Sequence, residues 1–202
     1  MRNVLLTGVG GQGTVLAAKV LAQAAQAKGW QVRTAETIGM AQRGGSVVSH
    51  VRMGDNGEEV IAPLVAKGTA DMIIAFEPAE AARVLPYLAP DGVMVSATTS
   101  IQPITAALST EPYLAEATIA SLGGRLNGSA EAPARFVLVD DEAVLSQVGN
   151  RKALNIVLLA FALKTGHLPL SLDDLRDAVR ACVKPRFVEL NLAAIDLVES
   201  KE

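Results

Sequence analysis

Cysteine is almost missing from this chain: of 202 residues one is a cysteine, Cys182, and two are histidines, His50 and His167. A single thiol excludes an internal disulfide, a Cys-ligated iron–sulfur cluster and a cysteine-built structural zinc within this chain. It also gives no sign of an oxidising compartment, so a cytoplasmic setting is expected. Aromatic residues make up only 3%, which leaves Ala, Leu, Val and Ile to build a closely packed core. A basic excess is absent too. The 18 Lys and Arg are outnumbered by 21 Asp and Glu, the isoelectric point is near 5.5, and no basic run develops, which argues against a nucleic-acid footprint. The longest apolar run, Ile156 to Leu163, has eight residues, against the roughly 20 that cross a bilayer. The N-terminal stretch develops no signal-peptide core, so neither a membrane span nor a leader is expected.

What is present is an apolar fraction of 50% with 19% charge and a mean hydropathy of +0.32. That balance points to elements buried on both faces and hence to α/β layering in one globular domain, residues 1–202. Residues 3–7 form a short apolar strand that stops at glycines. Residues 14–28 carry Leu16, Val20 and Ala24 on one face and close at Gly29, as a helix with a glycine C-cap does. Extended structure resumes at Trp30, so residues 3–35 read as a βαβ unit. Ser46–Met53 and Glu58–Ile61 flank the turn sequence Gly54-Asp55-Asn56-Gly57 and predict an antiparallel hairpin. Strands follow at 72–76, 92–96 and 135–139, with a helix over 78–89, helix starts at Pro103 and Pro112, and a surface loop at 123–134. From Asn150 on only helices are expected, at 151–165, 171–182 and 186–199, the second opened by Ser171-x-x-Asp174. The fold class is therefore a three-layer α/β/α sandwich. Its sheet is Rossmann-like and mostly parallel, with an antiparallel hairpin over 1–149 and a helical part over 150–202.

Gly8-Val9-Gly10-Gly11-Gln12-Gly13 fits G-x-G-x-x-G between a strand and a helix, where glycine permits close backbone approach and helix N–H groups attract a phosphate. Glu36 falls where a dinucleotide fold places its ribose-binding carboxylate. These residues suit a nicotinamide or flavin enzyme, or a glycine turn needed only for tight packing. Against hydride transfer, the sequence offers no evident acid–base pair, and His50 and His167 read as structural residues. Cys182, between Ala181 and Val183, reads as an inert buried thiol.

The combination of the glycine loop with Glu36-Thr37-Ile38-Gly39-Met40-Ala41-Gln42-Arg43-Gly44-Gly45 resembles the gamma-type domain of 2-oxoacid:ferredoxin oxidoreductases. Asp71 to Pro78 with Glu80 and Arg83 looks like a further block of that family, and Gly149-Asn150 with Asn155 like another. The wording of the second motif is most similar to the indolepyruvate branch. The resemblance implies a subunit of an enzyme that oxidatively decarboxylates arylpyruvates with coenzyme A to an aryl-acetyl-CoA, reducing ferredoxin. It places thiamine diphosphate and the iron–sulfur clusters on a larger alpha subunit, so that this chain alone holds no cofactor and is inactive in isolation. It suggests coenzyme A at the glycine loop, with Gly8, Gly10, Gly11, Gln12, Gly13, Glu36, Gln42, Arg43, Gly44 and Gly45 as binding residues. Two alternatives stand beside it: a free-standing Rossmann-type NAD(P)-dependent oxidoreductase, and a ligand-free interaction subunit.

Overall fold

The computed structural model describes residues 1–39, 45–101, 113–127 and 135–201. Strand β1 (Arg2–Val9) leads through the glycine loop into helix α1 (Thr14–Ala27), followed by β2 (Gln31–Ile38), β3 (Ser46–Gly54), β4 (Ala70–Ala75), α2 (Pro78–Val84) and β5 (Leu88–Ala97). After these come α3 (Ala115–Leu126), β6 (Phe136–Val139), α4 (Asp141–Val148), α5 (Leu154–Lys164), α6 (Leu172–Cys182) and α7 (Pro185–Glu199). The strands form one sheet in the order β2-β3-β1-β4-β5-β6. β1, β4, β5 and β6 run parallel, while β3 lies antiparallel between β1 and β2.

Alternation along the strands divides the core into two layers. Val4 and Leu6 face α1 and helices α4 to α7, together with Val51, Met53, Met72 and Ile74. Leu5, Ile73, Ala75 and Met94 face the other way, against α2 and α3. Parallel strands covered on both faces are apolar at successive positions, which is why β1 and β4 read as unbroken apolar runs. α5 contributes Ile156 to Ala160, all fully buried, because it lies between the sheet and the outer helices rather than at the surface.

Several expectations are corrected. The hairpin does not join 46–53 to 58–61: β3 pairs with β2 and β1 instead, and residues 58–61 are not a strand. β3 thereby separates the two strands of the expected βαβ unit. The segment after the Gly54–Gly57 turn lies against β3 through its own bonds, Val65 N–H to His50 Nδ1 (3.1 Å) and Arg52 to the Ala62 carbonyl (2.8 Å). The helix expected over 78–89 ends at Val84 and tightens into a 3-10 turn over Leu85–Tyr87, since Pro86 has no N–H to continue it. Residues 123–126 are the last turn of α3, where burial of Leu122 and Leu126 overrides the poor helix propensity of Gly123 and Gly124. α4 was not foreseen, and Asp140 caps it by accepting from Ala143 N–H at 3.0 Å. Pro103 and Pro112 lie outside the described residues. The capping box at Ser171 and Asp174 is present, with both reciprocal bonds.

Candidate functional site

The chain leaves β1 for α1 on one face of the sheet and leaves β4 for α2 on the other. The carboxyl ends of β1 and β4 therefore flank a topological switch point, the place where open α/β sheets receive ligands. The glycine loop sits on it. Gly8 is required by close approach: a Cβ there would lie 2.7 Å from Gln12 Oε1 and 2.9 Å from the Phe76 Cβ. Gln12 crosses the switch point with both ends of its amide, Oε1 accepting from Val9 N–H (2.7 Å) and Nε2 donating to the Phe76 carbonyl (2.9 Å). It was expected to offer that amide to a phosphate; the structure uses it instead to fasten the end of β1 to the end of β4.

Gly10 N–H donates to the Gly45 carbonyl at 2.9 Å, which joins the two glycine motifs physically. Gly13 takes a left-handed conformation (φ 86°) as the N-cap of α1 and supplies no side-chain cap. Asn155 closes the loop from below, its Nδ2 3.1 Å from where a Gly13 Cβ would stand. The N–H groups of Gly11, Gly13, Thr14, Val15 and Leu16 consequently have no hydrogen-bond partner among the described residues. They gather at the positive end of a 14-residue helix, and such a group of donors suits an anion.

On the other side of the crevice, Glu77 caps α2 by accepting from Glu80 N–H (3.0 Å) and also accepts from the Tyr113 hydroxyl (3.0 Å). It is only 1% exposed, and burial pushes its carboxyl above the usual range. The Tyr113 phenol is pushed up as well, by burial first and then by the Glu77 charge. Glu80, also buried, accepts from the Ser46 hydroxyl at 2.5 Å and pairs with Arg83 at 3.0 Å. Ser46 opposes Val9 in the β1–β3 ladder, so this bond ties the start of β3 to α2. Beyond β5, Asp141 is fully buried, and its Oδ1 accepts from Thr98 N–H, the Thr98 hydroxyl and Thr99 N–H at 2.9 to 3.0 Å. Ser46, Tyr113, Thr98, Thr99 and Asp141 were missed by sequence reading. The Asp140-Asp141 pair just after the last strand was the available signal for the last of them.

Of the expected binding residues, Gly8, Gly10, Gly11, Gln12, Gly13 and Gly45 meet at the switch point. Gln42, Arg43 and Gly44, with Met40 and Ala41, lie outside the described residues. Glu36 is placed differently from a ribose-binding carboxylate. β3 stands between β2 and β1, so Glu36 lies across from Ser49, and Ser49 across from Leu6. Its side chain lines a groove against α1 with Val15, Lys19 and Gln23. His50 is structural, as expected: buried in β3, it accepts from Val65 N–H, and burial pushes its pKa down. Cys182 is half-buried rather than buried, and desolvation pushes its thiol up, away from the reactive thiolate. Among the described residues no group of three His, Cys, Asp or Glu side chains is arranged to hold a metal, and no helix is long and apolar enough to cross a membrane.

Comparison with known proteins gives the family and the fold. The model of the pyruvate ferredoxin/flavodoxin oxidoreductase family matches residues 3–198. Indolepyruvate oxidoreductase subunit IorB from Pyrococcus horikoshii is 36% identical over 197 residues, covering 96% of this chain and 93% of that protein. The subunit of the same name from Thermococcus kodakarensis is 35% identical over 200 residues, with 96% and 93% covered. In fold, the chain is similar to the gamma subunit of a keto/oxoacid ferredoxin oxidoreductase from Geobacter sulfurreducens (TM-score 0.65, 23% identity, 98% of this chain and 96% of that one). It is also similar to part of a 2-oxoglutarate:ferredoxin oxidoreductase from Magnetococcus marinus, solved with 2-oxoglutarate, coenzyme A and succinyl-CoA bound (TM-score 0.67, 16% identity, all of this chain and 31% of that one). With the motifs, the fold and near-complete sequence coverage in agreement, this chain belongs to the pyruvate ferredoxin/flavodoxin oxidoreductase family.

Proposed function

We propose that this chain is the small, cluster-free subunit of an indolepyruvate:ferredoxin oxidoreductase. The complex converts an arylpyruvate, coenzyme A and oxidised ferredoxin into an aryl-acetyl-CoA, carbon dioxide, a proton and reduced ferredoxin. A larger alpha subunit in the cytoplasm carries thiamine diphosphate and the iron–sulfur clusters, and this chain binds coenzyme A and presents it to that subunit. The relatives named as indolepyruvate oxidoreductase subunits support the reaction class. The observation that supports a binding role for this chain is the set of N–H groups of Gly11, Gly13, Thr14, Val15 and Leu16 at the switch point, unpartnered among the described residues.

In this reading Gly11, Gly13 and the first turn of α1 donate to a phosphate of coenzyme A, while Gln12 and Asn155 fix the loop's shape without touching it. Gly8 keeps the backbone close and Gly10 ties Gly45 alongside, and Gln42, Arg43 and Gly44 of the second motif are proposed as further contacts to the same ligand. Glu36 borders the site from β2. Preorganised donors need no rearrangement when the anion arrives, which favours binding.

Anaerobic affinity purification of the tagged chain from its own cells, with intact-mass and iron analysis, tests the assignment. A brown, iron-bearing partner and ferredoxin reduction that requires both indolepyruvate and coenzyme A are expected. A colourless lone chain would overturn it. Within the complex, a Gly11→Val, Gly13→Val double variant is expected to raise the KM for coenzyme A; an unchanged KM with intact assembly would favour a ligand-free interaction subunit.

A further inference from the structure

Beside the start of α1 lies a cavity of about 170 Å3, lined by Leu16, Lys152, Asn155, Phe187 and Asn191 among others, that the glycine motifs leave unexplained. It adjoins the glycine loop directly. Asn155 is the residue packed under Gly13, and Leu16 belongs to the first turn of α1 and is 38% exposed although apolar. Asn191, 6% exposed, keeps a buried Oδ1 without a partner.

Lys152 lines this cavity, and Arg186 stands beside it on the ring of the lining residue Phe187. Lys152 Nζ lies 5.7 Å from the centroid of the Phe187 ring, and the Arg186 guanidinium carbon 4.8 Å from it, so two positive side chains share one ring. Neighbouring Arg151 is paired with Glu142 at 3.6 Å; Lys152 and Arg186 pair with no described carboxylate. In a chain with a net charge of −3, two uncompensated cations over one aromatic ring, next to an apolar cavity and a row of free N–H groups, call for an anionic ligand with a ring attached.

We propose that this cavity is a second anchor for the ligand of the glycine loop and takes a phosphorylated nucleoside. The ring enters against Leu16 and Phe187, and a phosphate meets Lys152 and Arg186. The reading rests on coenzyme A binding as proposed above and assigns its 3′-phosphoadenosine end to this chain's C-terminal helices. The flexible thiol-bearing arm is thereby left free to reach the partner subunit.

The test uses the assembled complex, with coenzyme A, 3′-dephospho-coenzyme A and adenosine 3′,5′-bisphosphate as probes. A Lys152→Met, Arg186→Met double variant is expected to raise the KM for coenzyme A, and the inhibition constant for the bisphosphate, about tenfold, the scale of losing charge-assisted contacts. The KM for 3′-dephospho-coenzyme A should move much less, so that discrimination between the two thiols collapses. A merely structural role would raise both KM values together. Leu16→Trp, which fills the cavity, is expected to weaken all three probes. Unchanged discrimination in the double variant overturns the proposal. So does loss of the larger subunit from the double variant with binding of adenosine 3′,5′-bisphosphate to the chain unchanged, which would assign this surface to a protein contact. If the wild-type complex does not use coenzyme A, the functional reading falls, and calorimetric titration of the chain with adenosine 3′,5′-bisphosphate still decides the anchor: saturable binding weakened by the double variant supports it, and no binding overturns it.

Discussion

Gln12 shows how much one side chain can carry. Its amide satisfies a strand-end N–H on one side of the switch point and a carbonyl on the other, and its carbonyl oxygen fills the space that Gly8 leaves. Gln12→Ala leaves both partners without it and is expected to cost about 1–3 kcal/mol in urea unfolding, the scale of orphaning buried polar groups. Gln12→Glu should cost at least as much, because a carboxylate would face the Phe76 carbonyl. Gly8→Ala meets Gln12, Phe76 and Thr14 at once, of which the Phe76 Cβ is fixed to backbone. A loss of about 1–3 kcal/mol is expected in the same measurement, as for overpacking a closed site. His50 supplies a pH dependence. Burial holds its pKa below the ordinary 6.5, so the unfolded chain takes up a proton that the folded chain refuses. Stability should therefore fall as pH drops from about 6.5 towards the folded pKa, and the slope of the urea midpoint against pH in that window should flatten in His50→Gln.

At the level of elements, the decisive feature is the antiparallel β3 between β1 and β2. It removes β2 from the position beside β1 that a ribose-binding carboxylate needs, and it brings Ser46 next to Val9 and within reach of Glu80. The sequence announced the glycine turn, α1 and its C-terminal stop, because those signals are local. It did not announce β3's partners. An alternating run such as Ser46–Met53 is equally compatible with pairing to residues 58–61 or with insertion into the sheet, and only the burial available at the centre decides. Helix α6 is the opposite case, since Ser171-x-x-Asp174 specifies its own start. Ser171→Ala is expected to lose about 0.5–2 kcal/mol by denaturant unfolding, the usual effect of removing an N-cap.

For the whole molecule, the two faces of the sheet carry unequal layers: α1 and α4 to α7 on one, α2, α3 and the segment after β3 on the other. That segment leaves Ile61 84% exposed and Leu64 57% exposed. With one cysteine and no described metal cluster, the purified chain alone is expected to reduce no ferredoxin or viologen when given indolepyruvate and coenzyme A. Activity should appear on adding the larger subunit; turnover by the chain alone would contradict the assignment of thiamine diphosphate and the clusters to a partner.

Composition and short-range motifs by themselves determined the α/β class, the strand–glycine–helix unit, the caps and the exclusion of an internal cluster, because each depends on residue counts or on neighbours within a few positions. Only the tertiary structure decided that Gln12 is spent on Phe76, that Asn155 supports Gly13, and that Lys152 and Phe187 from separate helical segments meet beside α1. Those contacts join residues from about 35 to 140 positions apart. They form when sheet order and helix packing, driven by burial, bring the segments together.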